Sequence, residues 1–132
     1  MAKAWYEMSK DELNLEVRRL DKIRKHKMLT EELKLKFVRQ GDTSEREAED
    51  IKVIAKFFNP YGNWTWYACE FDPRTGQMFG YVKGHEDELG YFNFYEVATA
   101  TVRLGGYELP LERDCGWDSG TILKDVIDGG VS

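Results

Sequence analysis

The 132-residue chain has the length of one domain, with 42% hydrophobic and 33% charged residues, so we expect one core without metal or disulfide support. It contains no apolar run of the ~18 residues that a membrane helix needs, and its first residues do not resemble a signal peptide. Two cysteines, Cys69 and Cys115, are too few for a disulfide framework. We expect both to be reduced and buried, and the protein to be cytoplasmic.

Charge divides the chain into two unequal parts. Residues 1–40 contain 11 Lys/Arg and 7 Asp/Glu, a balance of +4, whereas residues 41–132 contain 8 and 17, a balance of −9. We therefore expect a basic helical arm over residues 1–28, followed by a single acidic α+β domain over residues 29–132. An acidic domain repels a nucleic-acid backbone, so any contact with nucleic acid would have to involve the arm.

The first forty residues predict two helices. Ser9 and Glu12 have the spacing of a capping box, in which two side chains satisfy two free backbone amides. Apolar residues at helical spacing follow and form one stripe: Leu13, Val17, Leu20 and Ile23. The first helix is predicted over about residues 10–27 and a shorter one over residues 30–37. The polar residues 41–50 predict an exposed loop of low order.

The hydrophobic period then changes from helical to alternating, which predicts strands. Three β-rich segments are separated by turn residues and form an antiparallel meander: residues 51–58, 64–71 and 77–83. In the first segment, the alternating apolar residues from Ile51 to Phe57 would share one face. Residues 84–89 predict an acidic loop, and residues 90–94 predict a fourth strand.

The remaining segments complete the predicted fold class, which is α+β. Residues 95–104 fit a short helix or a strand, residues 109–115 a late strand, and residues 121–127 a terminal helical turn. We predict an antiparallel β-sheet meander of about four to five strands, with a basic N-terminal helix and a short C-terminal helix.

The sequence contains no strong catalytic or cofactor motif. The two histidines, His26 and His85, do not have zinc-ligand spacing. No phosphate-binding glycine loop or nucleophile elbow follows a predicted strand. We therefore expect no catalytic residue, no cofactor, no metal and no membrane contact, and a fold that needs neither metal nor disulfide.

The segment Asn63–Tyr67 is the most unusual feature of the chain. Alternation places Trp64 and Trp66 on one face of the predicted strand, and Tyr67 on the other. Both faces are therefore aromatic, and a single layer of helices cannot cover both. Either the rings belong to the core, or one aromatic face is free to stack or to bind a partner. We predict that at least one of the three rings is substantially exposed.

The predicted acidic loop surrounds His85 with three carboxylates. Such a loop is either solvated or presents its charge to a divalent cation or to a partner's Arg and Lys. The candidate partner-binding residues are these carboxylates together with two aromatic anchors: Trp64, Tyr67, Glu86, Asp87 and Glu88. The expected partner is a protein with a basic surface.

Two alternative sites belong to other classes of function. Glu112 and Asp114 alternate with Arg113 and fit a structural ion pair, or, together with Glu70, the carboxylate site of a small hydrolase or nucleic-acid-processing enzyme. The basic helix fits a solvated surface or a nucleic-acid-binding face. Its candidate residues are these: Arg18, Arg19, Lys22 and Lys25.

Six ordered motifs carry a family resemblance: Lys56-Phe57-Phe58, Asn63-Trp64-Thr65-Trp66-Tyr67, Glu70-Phe71-Asp72-Pro73, Phe79-Gly80-Tyr81-Val82, Glu88-Leu89-Gly90-Tyr91-Phe92 and Leu109-Pro110-Leu111-Glu112-Arg113-Asp114. From about Leu29 to Ile127 the chain resembles the bacterial domain-of-unknown-function 2958 family. The resemblance implies no activity, so it assigns no catalytic residue. It does imply a setting, because members look typical of plasmids, phages and integrated elements.

Small acidic proteins of such elements often act against host defence. We therefore expect a non-enzymatic protein-interaction module of a phage or plasmid, for example an inhibitor of a host nuclease or CRISPR-type complex. The alternatives are the small carboxylate enzyme and the nucleic-acid-binding module described above.

Overall fold

A computed structural model of the chain describes residues 3–131. Within this range four α-helices and seven strands follow one another in this order: α1 (Lys10–Arg24), α2 (Glu31–Gln40), β1 (Ala55–Phe58), β2 (Thr65–Phe71), β3 (Gln77–Lys83), β4 (Asp87–Asn93), α3 (Phe94–Thr99), β5 (Thr101–Leu104), β6 (Tyr107–Pro110), β7 (Glu112–Arg113) and α4 (Leu123–Ile127). Single 3-10 turns lie at Trp5–Glu7 and Ala48–Asp50. The predicted α+β class, with its N-terminal helix and short C-terminal helix, is confirmed.

The main sheet is antiparallel throughout and has five strands in the order β4-β3-β2-β1-β7. Strands β1 to β4 form the predicted meander, because short turns join each of them to the next. β7 returns from a distant part of the chain to the free side of β1. β5 and β6 form a separate two-stranded hairpin.

Both faces of the main sheet carry a core. The α1-side face, which includes Phe57, Ala68 and Met78, is covered by α1, α2 and α3. The α4-side face, which includes Tyr67 and Cys69, is covered by α4 and the chain before β1. Two layers of cover therefore accommodate a strand that is aromatic on both faces.

The start of β1 differs from the prediction. The chain before it does not continue the strand, because Val53 packs on the α4 side whereas Ala55 packs on the α1 side. Ile51 also belongs to the α4-side core. The alternating residues from Ile51 to Phe57 thus do not share one face. The N–H of Val53 donates to the carbonyl of Thr121 at 2.7 Å, which ties this segment to the C-terminal part of the chain.

α1 begins as predicted, and its end is set by Lys25. The Ser9 hydroxyl accepts from the Glu12 amide at 3.1 Å, and the Glu12 carboxylate accepts from the Ser9 amide at 3.1 Å. Lys25 adopts a left-handed φ of 65°, so the helix ends at Arg24, before the predicted boundary at 27. Ile23, predicted on the apolar stripe, is exposed.

Arg24, and not Ile23, lies on the buried face of α1, and its side chain joins this helix to the rest of the fold. Its guanidinium donates to the carbonyls of Ala98 and Leu111, both at 2.8 Å, and pairs with Asp21 at 2.8 Å. Burial is the largest cause that lowers the pKa of Arg24, against the opposing effect of Asp21. The helix predicted as an arm therefore packs against the domain and supplies Leu13 to its core.

The predictions for residues 95–104 and 109–115 agree in part with the structure. Residues 95–104 contain both elements, because Asn93 caps α3 through the Tyr95 amide and the β-branched residues from Thr101 then form β5. The late strand predicted over residues 109–115 is divided between β6, which ends at Pro110, and β7. In the part of the chain that the structure describes, no helix has the length and apolar character to cross a membrane.

Candidate functional site

Trp64 lies immediately before β2 and is 38% exposed. Its ring stacks on Trp66, with 5.9 Å between centroids, and meets the edge of the His85 ring at 5.5 Å. Trp66 in turn packs against the α1-side core. The stack therefore holds an exposed ring on a rigid support, and the prediction that one of the aromatic rings is exposed is confirmed for Trp64.

Gly84 makes room for this ring. A β-carbon at Gly84 would lie 2.5 Å from the Trp64 ring, closer than any van der Waals contact permits. The turn between β3 and β4 can therefore close over Trp64 only with a glycine at this position. Nothing in the local sequence pattern indicated this contact, because the two residues are far apart along the chain.

Tyr67 does not reach the surface, in contrast to its prediction as a possible aromatic anchor. It is 2% exposed and packs between Tyr81, at 6.3 Å, and Trp117, at 5.7 Å. Burial first, and the Asp87 carboxylate second, raise the pKa of Tyr67. A partner cannot contact Tyr67 without displacing Trp117, which the sequence places fifty positions further along.

The acidic run is only partly a loop. The turn ends at Glu86, and Asp87 and Glu88 already belong to β4, paired with Lys83 and Val82 of β3. Alternation sends Asp87 to the α4 side and Glu88 to the α1 side, where Val82 separates it from Trp66. The three carboxylates thus surround the end of the β3–β4 hairpin instead of lining one loop.

All three carboxylates are exposed, and none forms an ion pair within residues 3–131. Trp64 lies on the α1 side of the same turn, where its ring meets His85. We call this set the hairpin tip: Trp64, Glu86, Asp87 and Glu88. It unites four of the five predicted partner-binding residues and leaves out Tyr67.

The alternative carboxylate site is not assembled. Phe58 pairs with Thr65 on one side and with Glu112 on the other, so Thr65 and Glu112 lie at the same level of the sheet. Glu70 lies five residues beyond Thr65 along β2, which corresponds to roughly 15 Å along the strand. Glu112 lies 3.5 Å from His26, and Asp114 lies 3.9 Å from Lys56. Each carboxylate therefore has its own local partner, and the three cannot act on one substrate together.

Glu70 holds the loop between α2 and β1 in place. Its carboxylate accepts from the amide and the hydroxyl of Thr43, which is buried. Arg46 donates from the same loop to the backbone carbonyls of Gln40 and Asp50. Residues 41–50, predicted to have low order, are thus anchored at both ends by specific hydrogen bonds.

The basic residues of α1 are divided among different roles. Arg19 pairs with Glu16 and Glu108, both at 2.7 Å, and Arg18 donates to the carbonyl of Asn14. Lys22 and Lys25 are exposed and form no ion pair among the residues described. Arg18 also lines a groove of about 450 Å³ between α1 and α2, together with three further basic and two acidic side chains: Lys10, Lys27, Lys34, Asp21 and Glu31.

The two cysteines are in opposite environments. Cys69 is buried, and burial is the main cause that raises its pKa to about 12. Cys115 is exposed, which contradicts the prediction that both are buried, because it lies in the loop after β7 rather than in a strand. Between residues 3 and 131 no group of three or more His, Cys, Asp or Glu is placed to hold a metal ion.

A groove that sequence reasoning missed runs along β4 on the α4 side. It has a volume of about 380 Å³, and its lining is partly apolar and partly polar. The sheet contributes Phe79, Leu89 and Tyr91, and the opposite wall contributes Ile51 and Leu123. We call it the β4 groove. Its acidic rim includes Asp42 and Glu47 of the loop that Glu70 anchors.

Comparison with known proteins places the chain in a family without assigning an activity. Searches of the curated proteins and of the solved structures find no match. The model of a family described as a protein of unknown function, DUF2958, matches residues 28–128 and therefore leaves α1 outside. The resemblance inferred from the motifs is confirmed, and the chain belongs to the DUF2958 family.

Proposed function

We propose that the chain is a non-enzymatic protein-interaction module that binds a basic surface of a partner protein through the hairpin tip. The observation that carries the proposal is the presence, at the end of one hairpin, of three exposed carboxylates, none with an ion-pair partner in residues 3–131, together with the supported ring of Trp64. Such a grouping combines long-range attraction with one amphipathic anchor.

The two components have different physical roles. Carboxylates attract a basic surface during the encounter and select among partners, which mainly affects the association rate. A tryptophan that becomes buried in the complex slows dissociation, and an Arg of the partner can stack on its face. The stack on Trp66 pre-orders Trp64, so little side-chain entropy is lost when a partner binds.

The proposed partner is a component of a host defence system, such as a nuclease or a CRISPR-type complex, and the chain is its phage- or plasmid-encoded inhibitor. This part of the proposal rests on the expectation that members of the family belong to plasmids, phages and integrated elements. The charge of the chain is compatible with it, because nucleases carry basic surfaces for their substrates and residues 41–132 have a balance of −9.

The two alternatives have less support. A carboxylate enzyme would need Glu70 close to Glu112 and Asp114, but β1 separates β2 from β7 and each of the three carboxylates contacts a different local partner. A nucleic-acid-binding module would use the basic residues of α1, among which Arg19 is already paired with two carboxylates. The groove that Arg18 lines is the observation that favours this second alternative.

A comparative pull-down from host lysate tests the proposal. The baits are the wild type, a hairpin-tip variant (Glu86→Gln, Asp87→Asn, Glu88→Gln) and a control that removes the same charge from exposed helix positions (Glu31→Gln, Glu32→Gln, Asp125→Asn). We expect the wild type and the control to retain a common protein that the hairpin-tip variant loses. Equal retention by all three baits would contradict the proposal.

Two further variants, Glu70→Gln and Asp114→Asn, test the enzyme alternative. If the purified chain turns over nucleic acid or a small ester without a partner, and Glu70→Gln or Asp114→Asn stops the turnover while partner binding persists, the chain is an enzyme and the proposal is wrong.

A further inference from the structure

β4 is a long edge strand without the usual protection. It is the outermost strand on its side of the sheet and has seven residues, whereas β7 at the other edge has two. Proteins blunt exposed edges with prolines, bulges, lysines or very short strands. β4 has no proline or lysine, its pairing with β3 shows no register shift, and its charges are confined to Asp87 and Glu88.

The direction of its free peptide groups follows from the pairing. The Phe94 amide donates to the Gly76 carbonyl at 2.8 Å and continues the ladder by one position. In an antiparallel pair the residues bonded to the neighbouring strand alternate with residues whose N–H and C=O point away. Counting back from Phe94, the outward peptide groups belong to the odd-numbered residues: Asp87, Leu89, Tyr91 and Asn93.

Two of these four residues, Leu89 and Tyr91, present large apolar side chains. Leu89 is 48% and Tyr91 is 70% exposed, and both line the β4 groove, where the Tyr91 ring contacts Phe79 at 5.2 Å between centroids. At the C-terminal end of β4, Trp5 lines a second, separate pocket together with Phe92 and Asn93. The part of the edge that is free for pairing therefore runs from Asp87 to Tyr91.

Charge specifies what can occupy this edge. The hairpin tip places carboxylates at one end of it, and the lining of the β4 groove includes Asp42 and Glu47 as well as one cation, Arg46, which donates to backbone carbonyls of its own loop. A segment along β4 would thus meet free backbone groups, a partly apolar groove and a net negative charge together. Main-chain hydrogen bonds supply affinity in strand addition, and alternate side chains supply specificity.

We propose that β4 binds an extended segment of the partner as a sixth strand, with apolar side chains in the β4 groove and Lys or Arg beside the hairpin tip. The inference rests on the proposed function and names the mode of recognition. A second copy of the chain is the less suitable occupant, since each copy carries a net charge of −5 and the two would repel each other.

A displayed library of random nine-residue peptides provides the probe. It is selected in parallel against the wild type and two matched variants, Leu89→Ala and Leu89→Pro. Both substitutions remove the isobutyl group, but only proline also removes an N–H, and that N–H points away from β3. We expect enriched peptides with alternating apolar and basic residues, bound at least ten times more weakly by Leu89→Pro than by Leu89→Ala.

Amide hydrogen exchange of the protein, measured with and without a selected peptide, provides an independent test. Strand addition should slow exchange at the outward amides of Leu89 and Tyr91 and leave Gly90, already bonded to β3, unchanged. Spectra of the free variants establish that Leu89→Pro keeps the fold. If the proline variant unfolds, the alternating protection in the wild type still decides the question.

Three results would overturn the inference. The first is that no peptide is enriched on the wild type over Leu89→Pro. The second is that peptide binding depends on Glu86–Glu88 but protects no alternating amides of β4. The proposed function would then stand, and strand addition would be wrong. The third is a free protein that sediments as a dimer with Leu89 and Tyr91 already protected, since a second copy would then occupy the edge.

Discussion

Gly84 controls how Trp64 is held at the hairpin tip. Gly84→Ala would place a β-carbon 2.5 Å from the Trp64 ring, so we expect the ring to shift from its position against Trp66. We expect a loss of stability of about 1–2 kcal/mol, typical of overpacking, and stronger acrylamide quenching of tryptophan fluorescence. Gly90→Ala is the matched control, because a β-carbon at Gly90 meets nothing within 4 Å. Equal quenching in the two variants would show that the Gly84 contact does not order the ring.

Cys69 makes folding stability sensitive to alkaline pH. Burial first, and Glu70 second, raise the pKa of Cys69 to about 12, whereas a thiol in an unfolded chain titrates near ~8.5. The folded state therefore binds the thiol proton more tightly than the unfolded state does. The resulting contribution to the free energy of unfolding is fully present below about pH 8.5. Above that pH the stability falls by up to ~1.4 kcal/mol per pH unit, until the folded thiol itself titrates.

Urea unfolding at pH 8 and pH 9.5, with reductant present, measures this dependence. The free energy of unfolding should differ between the two pH values, and Cys69→Ala should reduce that difference by about 1 kcal/mol. Cys115→Ala removes the exposed thiol and should leave the difference in place. A wild type that is equally stable at both pH values would contradict this account of Cys69.

The buried guanidinium of Arg24 fastens α1 to the sheet. Arg24→Met would leave the carbonyls of Ala98 and Leu111 without a donor and Asp21 without its cation. We expect a loss of about 3 kcal/mol in urea unfolding, as for other broken buried pairs. Arg18→Met, at an exposed position of the same helix, should change stability by less than about 0.5 kcal/mol. Similar losses in both variants would show that Arg24 does not join α1 to the fold.

Elements with local signals were predictable, and those fixed by distant residues were not. The capping box at Ser9 and the turn residues between strands are local, so α1 and the meander follow from the sequence. The crossing of the chain from one face to the other between Val53 and Ala55 depends on α4, which lies seventy residues further along. Periodicity alone cannot show which face a distant helix will cover.

The candidate site was predictable to the same extent. Alternation placed Trp64 and Trp66 on one face, and their stack agrees with it. The burial of Tyr67 depends on Trp117, and the β4 groove depends on a loop that Glu70 anchors through Thr43. These contacts join residues far apart in sequence, so neither could be derived from a local pattern.

The fold as a whole should require neither metal nor disulfide. Both cysteines are free, and no metal-ligand group occurs within residues 3–131. Addition of a chelator or a reductant should leave the thermal midpoint unchanged. A decrease of more than about 4 °C, which corresponds to roughly 1 kcal/mol for a domain of this size, would show that an ion or a disulfide supports the fold.

In the proposed function, exposed carboxylates at the hairpin tip attract a basic partner toward the chain. The most direct test is the association rate of the retained partner, measured against salt concentration for the wild type, the hairpin-tip variant and the charge-matched control. We predict that neutralising Glu86, Asp87 and Glu88 slows association about tenfold at low salt and flattens its salt dependence. The control should behave like the wild type, and identical salt dependence in all three proteins would contradict the claim.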